Sequence, residues 1–270
     1  MDEKRLISKR IFPIYAADHR LCAQLIEPSS HSSVKIPATL VFLHEGLGSI
    51  AQWRDFPRRL SINTGLPVLV YERWGYGSSD ALDTQRTIRY LHDEAMTSLP
   101  EVLQQMDIND AILIGHSDGG SIALMFAASH KNMVRGIITE AAHVFVEEVT
   151  ITGIRKAVEL YETTDLKDRL YQYHKDNTEP MFRAWADTWL SAEFRNWNIE
   201  EYLPQITSPL LVIQGEKDEY GTKAQVESIM KQVAGPVKGL LIPDCGHVPH
   251  HQARERVLAE MTRFINSLIL

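Results

Sequence analysis

A chain of 270 residues, 44% hydrophobic and 23% charged, has ample length to bury the core of one large α/β domain or two modest ones. A net charge of −7, with no Lys/Arg run beyond the mixed "DEKRLISKR", argues against a nucleic-acid partner. No apolar stretch is long enough to cross a bilayer, and "RLISKRIFPIYAADHR" returns to charge too often for a signal peptide.

Along the chain, short β-branched runs alternate with helical patterns. "RIFPIY" and "RLCAQLIEP" read as two early strands joined by the turn-like "AADH". "ATLVFLHE", "PVLVYE", "AILIGHS", "VRGIITEA", "PLLVIQG" and "VKGLLIP" read as largely apolar strands, as a sheet buried on both faces requires. Helices are expected over Ser49–Asn63, Ile88–Met106, Gly119–His130, Lys223–Val233 and His250–Leu268, with Pro100 kinking or splitting the second. This alternation predicts a mostly parallel, doubly wound sheet of about eight strands. From His143 to Gln205 no buried strand is legible, only amphipathic helices rich in Tyr and Trp. Residues 143–205 are therefore expected to form a helical cap over a core made of 1–142 and 206–270.

"LIGHSDGGSIAL" is the stretch that carries chemistry. Gly115-His116-Ser117-Asp118-Gly119 satisfies G-x-S-x-G where a strand run gives way to a helix run. A serine on so sharp a turn crowds the residues two before and two after it, and glycine at both places relieves the crowding. Taken alone, the motif also fits a glycine-rich turn whose serine only caps a helix. A neutral hydroxyl is a poor nucleophile, so a base and an orienting acid are needed. Asp218, in "SPLLVIQGEKDEYG", follows a buried strand, and His247, in "VKGLLIPDCGHVPHHQ", follows the next. Serine, acid and histidine thus fall at strand ends in one chain order.

With these motifs, and with "LHEGLGSIAQW" and "YERWGYGSSD" in support, nearly the whole chain resembles a capped, esterase-like enzyme of the α/β-hydrolase fold. The resemblance implies Ser117 as nucleophile, His247 as general base and acid, and Asp218 as the residue orienting His247. It implies two backbone oxyanion donors, Gly46 in the His44-Glu45-Gly46 loop and Asp118 after the nucleophile. Glu140 is the main rival to Asp218; Asp244 lies too close to His247 along the chain, and Glu219 neighbours Asp218. His250 and His251 are read as solvated. A metal cluster built on them with His247 lacks nearby Cys or paired acids.

Glu45 and Asp118 stand where carboxylates would oppose an oxyanion unless they point away or are paired. Structural hydrogen bonds are the expected role of both, with Arg73 and Arg54 as partners by position. A carboxylate facing the pocket would disfavour anionic substrates. Trp185 and Trp189, spaced i, i+4, share a helical face near Phe182, with Phe194 and Trp197 following. They serve either as the cap's own core or, for one or two of them, as pocket walls. His143 follows the strand before the cap and overlooks the site, more as a hydrogen-bonded spectator than a participant.

The expected function is a serine hydrolase, carboxylesterase-like, that cleaves a small carboxylic ester or thioester through an acyl-enzyme. It is expected to need no metal or cofactor and to act as a monomer or homodimer; with only Cys22 and Cys245 present no disulfide framework is implied, and a reducing cytoplasm fits. A C–C bond hydrolase of the meta-cleavage-product type is the alternative, weakened by Val248 where those enzymes often carry Trp. Two other classes are a non-catalytic ligand-binding protein on the same fold and a dinucleotide-binding oxidoreductase. The latter rests on Gly46-Leu47-Gly48-Ser49-Ile50-Ala51 as G-x-G-x-x-A with Glu72 ending the next strand, and leaves Ser117, Asp218 and His247 unexplained.

Overall fold

The computed structural model describes residues 7–28 and 38–269. The charges at 2–5 in the N-terminal stretch lie outside the described residues. Strands β1 (Ile7–Ala16) and β2 (His19–Pro28) form an antiparallel hairpin, turned at Ala17 and Asp18, both with positive φ. β3 (Thr39–Leu43), β4 (Val68–Tyr71), β5 (Ala111–His116), β6 (Val134–Glu140), β7 (Leu210–Gly215) and β8 (Val237–Ile242) complete an eight-stranded sheet in the order β1-β2-β4-β3-β5-β6-β7-β8. β2 meets β4 antiparallel, and every pairing from β4 to β8 is parallel. Every residue of β4, β5 and β7 is buried, whereas β1 and β8 at the edges are partly exposed. Central strands covered on both faces have no polar side to show, which is why they read as unbroken apolar runs.

Helices cover both faces. α1 (Phe56–Thr64) and α10 (Arg254–Ile269) pack Phe56, Leu60, Val257, Met261 and Ile265 against one face. On the other lie α2 (Tyr90–Asp93), α3 (Leu99–Gln105), α4 (Asp118–Ser129) and α8 (Lys223–Gln232). The α2–α3 break coincides with a π turn over Glu94–Ser98 just before Pro100, which has no N–H to continue the ladder. The helix expected from Ser49 starts only at Phe56, because Arg54 adopts a positive φ of 55° that ends a preceding short turn. The last helix is likewise divided, into α9 (Pro249–Gln252) and α10, at Ala253.

Between β6 and β7 the described residues form α5 (Glu148–Thr163), α6 (Leu166–His174), α7 (Thr178–Leu190) and short turns. The only β pairing there is an isolated bridge between Phe145 and Asn198. Their aromatic residues pack together: Tyr161 stacks on Phe182 at 3.8 Å, and Phe194 lies between Trp189 and Trp197. His174 ties this insertion to the sheet's loops. Its Nε2–H donates to the Leu47 carbonyl and its Nδ1 accepts from the Gly77 N–H, both at 3.0 Å.

Candidate active site

Ser117 sits between β5 and α4 with φ 52° and ψ −116°, a conformation that an L-residue holds only when its surroundings impose it. Those surroundings are visible. The Ser117 N–H donates to the Glu140 carbonyl of β6 at 2.8 Å, and Gly120 and Ser121 donate back to the Ser117 carbonyl. A Cβ on Gly115 would collide with the Gly119 carbonyl, and one on Gly119 with the Leu43 carbonyl of β3. Both glycines are thus needed because backbone occupies the space where side chains would go. Asp118 opens α4, so its N–H is among the helix-terminal donors that no intrahelical carbonyl satisfies.

The three residues that follow strands β5, β7 and β8 meet at one end of the sheet. His247 Nε2 lies 3.0 Å from Ser117 Oγ, and its Nδ1 lies 2.8 Å from Asp218 Oδ1. Asp218 Oδ1 also accepts from the Tyr220 N–H at 2.9 Å. Burial disfavours charge on both partners, but each is held ionisable by the other. His247 is raised above the ordinary imidazole value despite its burial, by the charge and hydrogen bond of Asp218 and then by Glu45 and Glu219. Asp218 is lowered below the usual carboxylate range, its desolvation outweighed by His247 and by the Tyr220 N–H. An arrangement of this kind can take a proton from a hydroxyl and return it to a leaving group.

The backbone of His247 is pinned from two further sides. Its carbonyl accepts from His116 Nε2–H at 2.7 Å, and its N–H donates to Glu219 Oε2 at 3.2 Å. His116 and Glu219 were adjacent in sequence to the candidates, yet nothing in the sequence assigned them these contacts. Among the rival acids, Asp244 pairs with Lys217 at the surface. Glu140 is fully buried and holds His250, with Oε2 at 2.9 Å from the His250 N and 3.1 Å from Nδ1. This corrects the reading of His250 and His251 as solvated. His250 is 4% exposed, packed on Trp53 and Phe56, and His251 is half-buried with Nε2–H donating to the Gln52 carbonyl. A buried carboxylate on β6 draws the histidine inward. Among the described residues no group of three or more His, Cys, Asp or Glu is placed to hold a metal ion.

The His44-Glu45-Gly46 loop after β3 is locked by Arg73. The Arg73 N–H donates to His44 Nε2 at 3.1 Å, and its buried guanidinium donates to the carbonyls of His44 and Glu45. Burial and the Arg73 charge keep His44 neutral, well below the ordinary imidazole value. Arg73 also faces Asp118 at 3.6 Å, while Asp118 Oδ2 accepts from Tyr90 at 2.8 Å. The side chain of Asp118 thus has a hydrogen bond from Tyr90 and faces Arg73 rather than Arg54. Tyr90, which also accepts from Trp189 Nε1 at 2.8 Å, carried no sequence signal. Glu72 Oε1 and Oε2 accept from the N–H groups of Ile50 and Ser78, and the glycine-rich loop opens no long helix, so neither feature has the dinucleotide-binding arrangement.

A cavity of about 210 Å³ brings Ser117, His247, Glu45, Gly46, Asp118, His143, Trp185 and Trp189 together under the insertion. Trp185 and Trp189 are thus both core of the insertion and wall of the cavity. Gly46 has no room for a side chain because the Trp185 indole lies against it. His143 donates from Nε2 to the Tyr220 carbonyl at 3.0 Å and borders the cavity. Glu45 Oε2 accepts from the Leu47 N–H at 2.6 Å, and burial raises its carboxyl above the usual range.

The chain is 26% identical over 85% of its length to a proline iminopeptidase of Saccharolobus solfataricus, of which it covers 85%. It is 23% identical to a 2-hydroxy-6-oxononadienedioate/2-hydroxy-6-oxononatrienedioate hydrolase of Klebsiella pneumoniae, over 77% of this chain and 80% of that one. Its fold matches the enol-lactonase of Burkholderia xenovorans LB400 with a TM-score of 0.73 at 19% identity, covering 94% of this chain and 99% of the other. No helix among the described residues is long and apolar enough to cross a membrane. The model of the alpha/beta hydrolase family matches residues 40–260, from β3 into α10 and across the whole site, and the chain belongs to that family.

Proposed function

We propose that this hydrolase is a serine esterase that cleaves a small carboxylic ester or thioester through an acyl-enzyme. The observation that carries the reading is the chain Ser117 Oγ, His247 Nε2, His247 Nδ1, Asp218 Oδ1, with separations of 3.0 and 2.8 Å and a strained serine. His247 takes the Ser117 proton as Oγ bonds to the acyl carbon. The carbonyl oxygen becomes an oxyanion beside the N–H groups of Gly46 and Asp118. His247 then returns the proton to the leaving oxygen or sulfur as that bond breaks, and a water repeats the sequence to release the acid and free Ser117. Side chains and backbone donors supply all of this chemistry. In this reading residues 143–205 act as the cap, and Trp185 and Trp189 line the acyl side of the pocket. A cytoplasmic location fits the two free cysteines, Cys22 and Cys245.

The likeness to the Klebsiella pneumoniae enzyme supports one second reading, a hydrolase of C–C bonds using the same three residues. Hydrolysis of p-nitrophenyl esters from acetate to octanoate, wild type beside Ser117→Ala, separates the two. Turnover that falls with acyl length and drops at least about 10³-fold in a folded Ser117→Ala protein supports the esterase. Absence of turnover on every ester, with C–C cleavage of a meta-cleavage product instead, moves the assignment to the second reading. Full activity in Ser117→Ala removes both.

A further inference from the structure

Apart from the histidines, the ionised side chains around the cavity are carboxylates. Glu45, Asp118 and Glu219 border it, and among the described residues no Lys or Arg does. Two of these carboxylates are already engaged. Asp118 has Arg73 and the Tyr90 hydroxyl, and Glu219 has the His247 N–H. Glu45 has one hydrogen bond, from the Leu47 N–H two residues on, and forms no ion pair among the described residues.

A second observation is independent of the acids. His143 is 3% exposed and borders the same cavity. Its proton lies on Nε2, which donates to the Tyr220 carbonyl, so Nδ1 is a bare acceptor, and it has no partner among the described residues. Burying an acceptor without a donor is costly, and a bound group that supplies the donor removes the cost. Trp185, Trp189 and Tyr220 also line the cavity, aromatic rings of the kind that attract a cation, beside the apolar Leu47, Ile154 and Val248. Glu45 also immediately precedes Gly46, so whatever it contacts lies close to the scissile carbonyl.

We infer that Glu45, with the His143 acceptor and the surrounding aromatic walls, selects acyl groups that carry a primary or secondary ammonium near the scissile carbonyl. The inference rests on the acyl-transfer reading above. It narrows the substrate class to cationic acyl esters, and excludes acyl groups bearing a carboxylate at that position.

The benzyl esters of alanine and of 2-methylpropanoic acid are isosteres that differ by an ammonium in place of a methyl. For the wild type the ratio of kcat/KM, alanine ester over 2-methylpropanoate ester, is expected to exceed about 30. In Glu45→Gln, which retains an acceptor for the Leu47 N–H, that ratio is expected to fall at least about tenfold. A wild-type ratio near or below one overturns the inference, as does a ratio unchanged in Glu45→Gln. If Glu45→Gln does not fold, inhibition of the wild type decides. Alaninol, a cation at neutral pH, should compete at least about tenfold more strongly than its isostere 2-methylpropan-1-ol, and equal competition overturns the inference. Calorimetric binding of the two esters to Ser117→Ala keeps the ideas apart. A preference for the alanine ester there, with no turnover by the wild type, removes the hydrolase reading and leaves the cation subsite standing. No preference there overturns the subsite.

Discussion

At the scale of single residues, the proposed mechanism turns on the protonation of His247. Desolvation favours the neutral ring, but the Asp218 charge and hydrogen bond, joined by Glu45 and Glu219, outweigh it and raise the folded-state value above the ordinary 6.5. A base must be neutral to accept a proton, so activity is lost as pH falls through that raised value. The acid limb of kcat/KM for an ester substrate is therefore expected to have its midpoint above 6.5. Asp218→Asn should shift that midpoint downward and lower kcat by about 10³–10⁴-fold, since the ring loses both its charge partner and its orientation. A pH–rate series on the two proteins checks this, and a wild-type midpoint at or below 6.5 contradicts it. Ser117, Asp218 and His247 were legible as residue types in a chain order. The deeper supports were not, because His116, Glu219 and Tyr90 act through contacts between distant loops that no local pattern encodes.

At the scale of elements, the strand–turn–helix unit β5–Ser117–α4 depends on backbone passing close to backbone. The Gly119 Cα hydrogen points at the Leu43 carbonyl at the end of β3. Gly119→Ala places a methyl against that carbonyl, and neither partner is a flexible side chain able to swing aside. The substitution is expected to destabilise the protein by about 2–4 kcal/mol and to displace Ser117, so that both the denaturant midpoint and kcat fall. Retention of both within error would mean that β3 and α4 separate more easily than their packing implies. All eight strands were readable because the central ones are unbroken apolar runs and the edges carry turn residues. Helix starts were less so. Arg54 and Ala253 interrupt patterns that looked continuous, and each break follows from the tertiary path of the chain rather than from a Pro or Gly.

At the scale of the molecule, the insertion is tied to the sheet's loops by His174. Burial lowers its ring to about 4, from an ordinary 6.5, although its bond to the Leu47 carbonyl opposes the shift. The folded state binds this proton less readily than the unfolded state. Its contribution is therefore complete above about 6.5, is lost as pH falls from there to about 4, and amounts to up to about 3 kcal/mol. The fall in Tm between pH 7 and pH 4.5 should be smaller in His174→Gln than in the wild type. Every other ionisable group is common to the two proteins, so the difference isolates His174. Equal slopes would show that His174 does not couple the insertion to the sheet.

The sequence by itself determined the doubly wound sheet, the glycine-flanked serine at a strand end, the order serine, acid, histidine, and the helical interval between β6 and β7. These follow from hydrophobic period and local steric demand, which depend only on neighbours along the chain. Folding in three dimensions was needed to show that Glu140 holds His250 rather than His247, that Arg73 faces Asp118, and that Glu45 forms no ion pair among the described residues. Each is a pairing of charges brought together by strands and loops far apart in the chain, and the choice among partners depends on distance and burial.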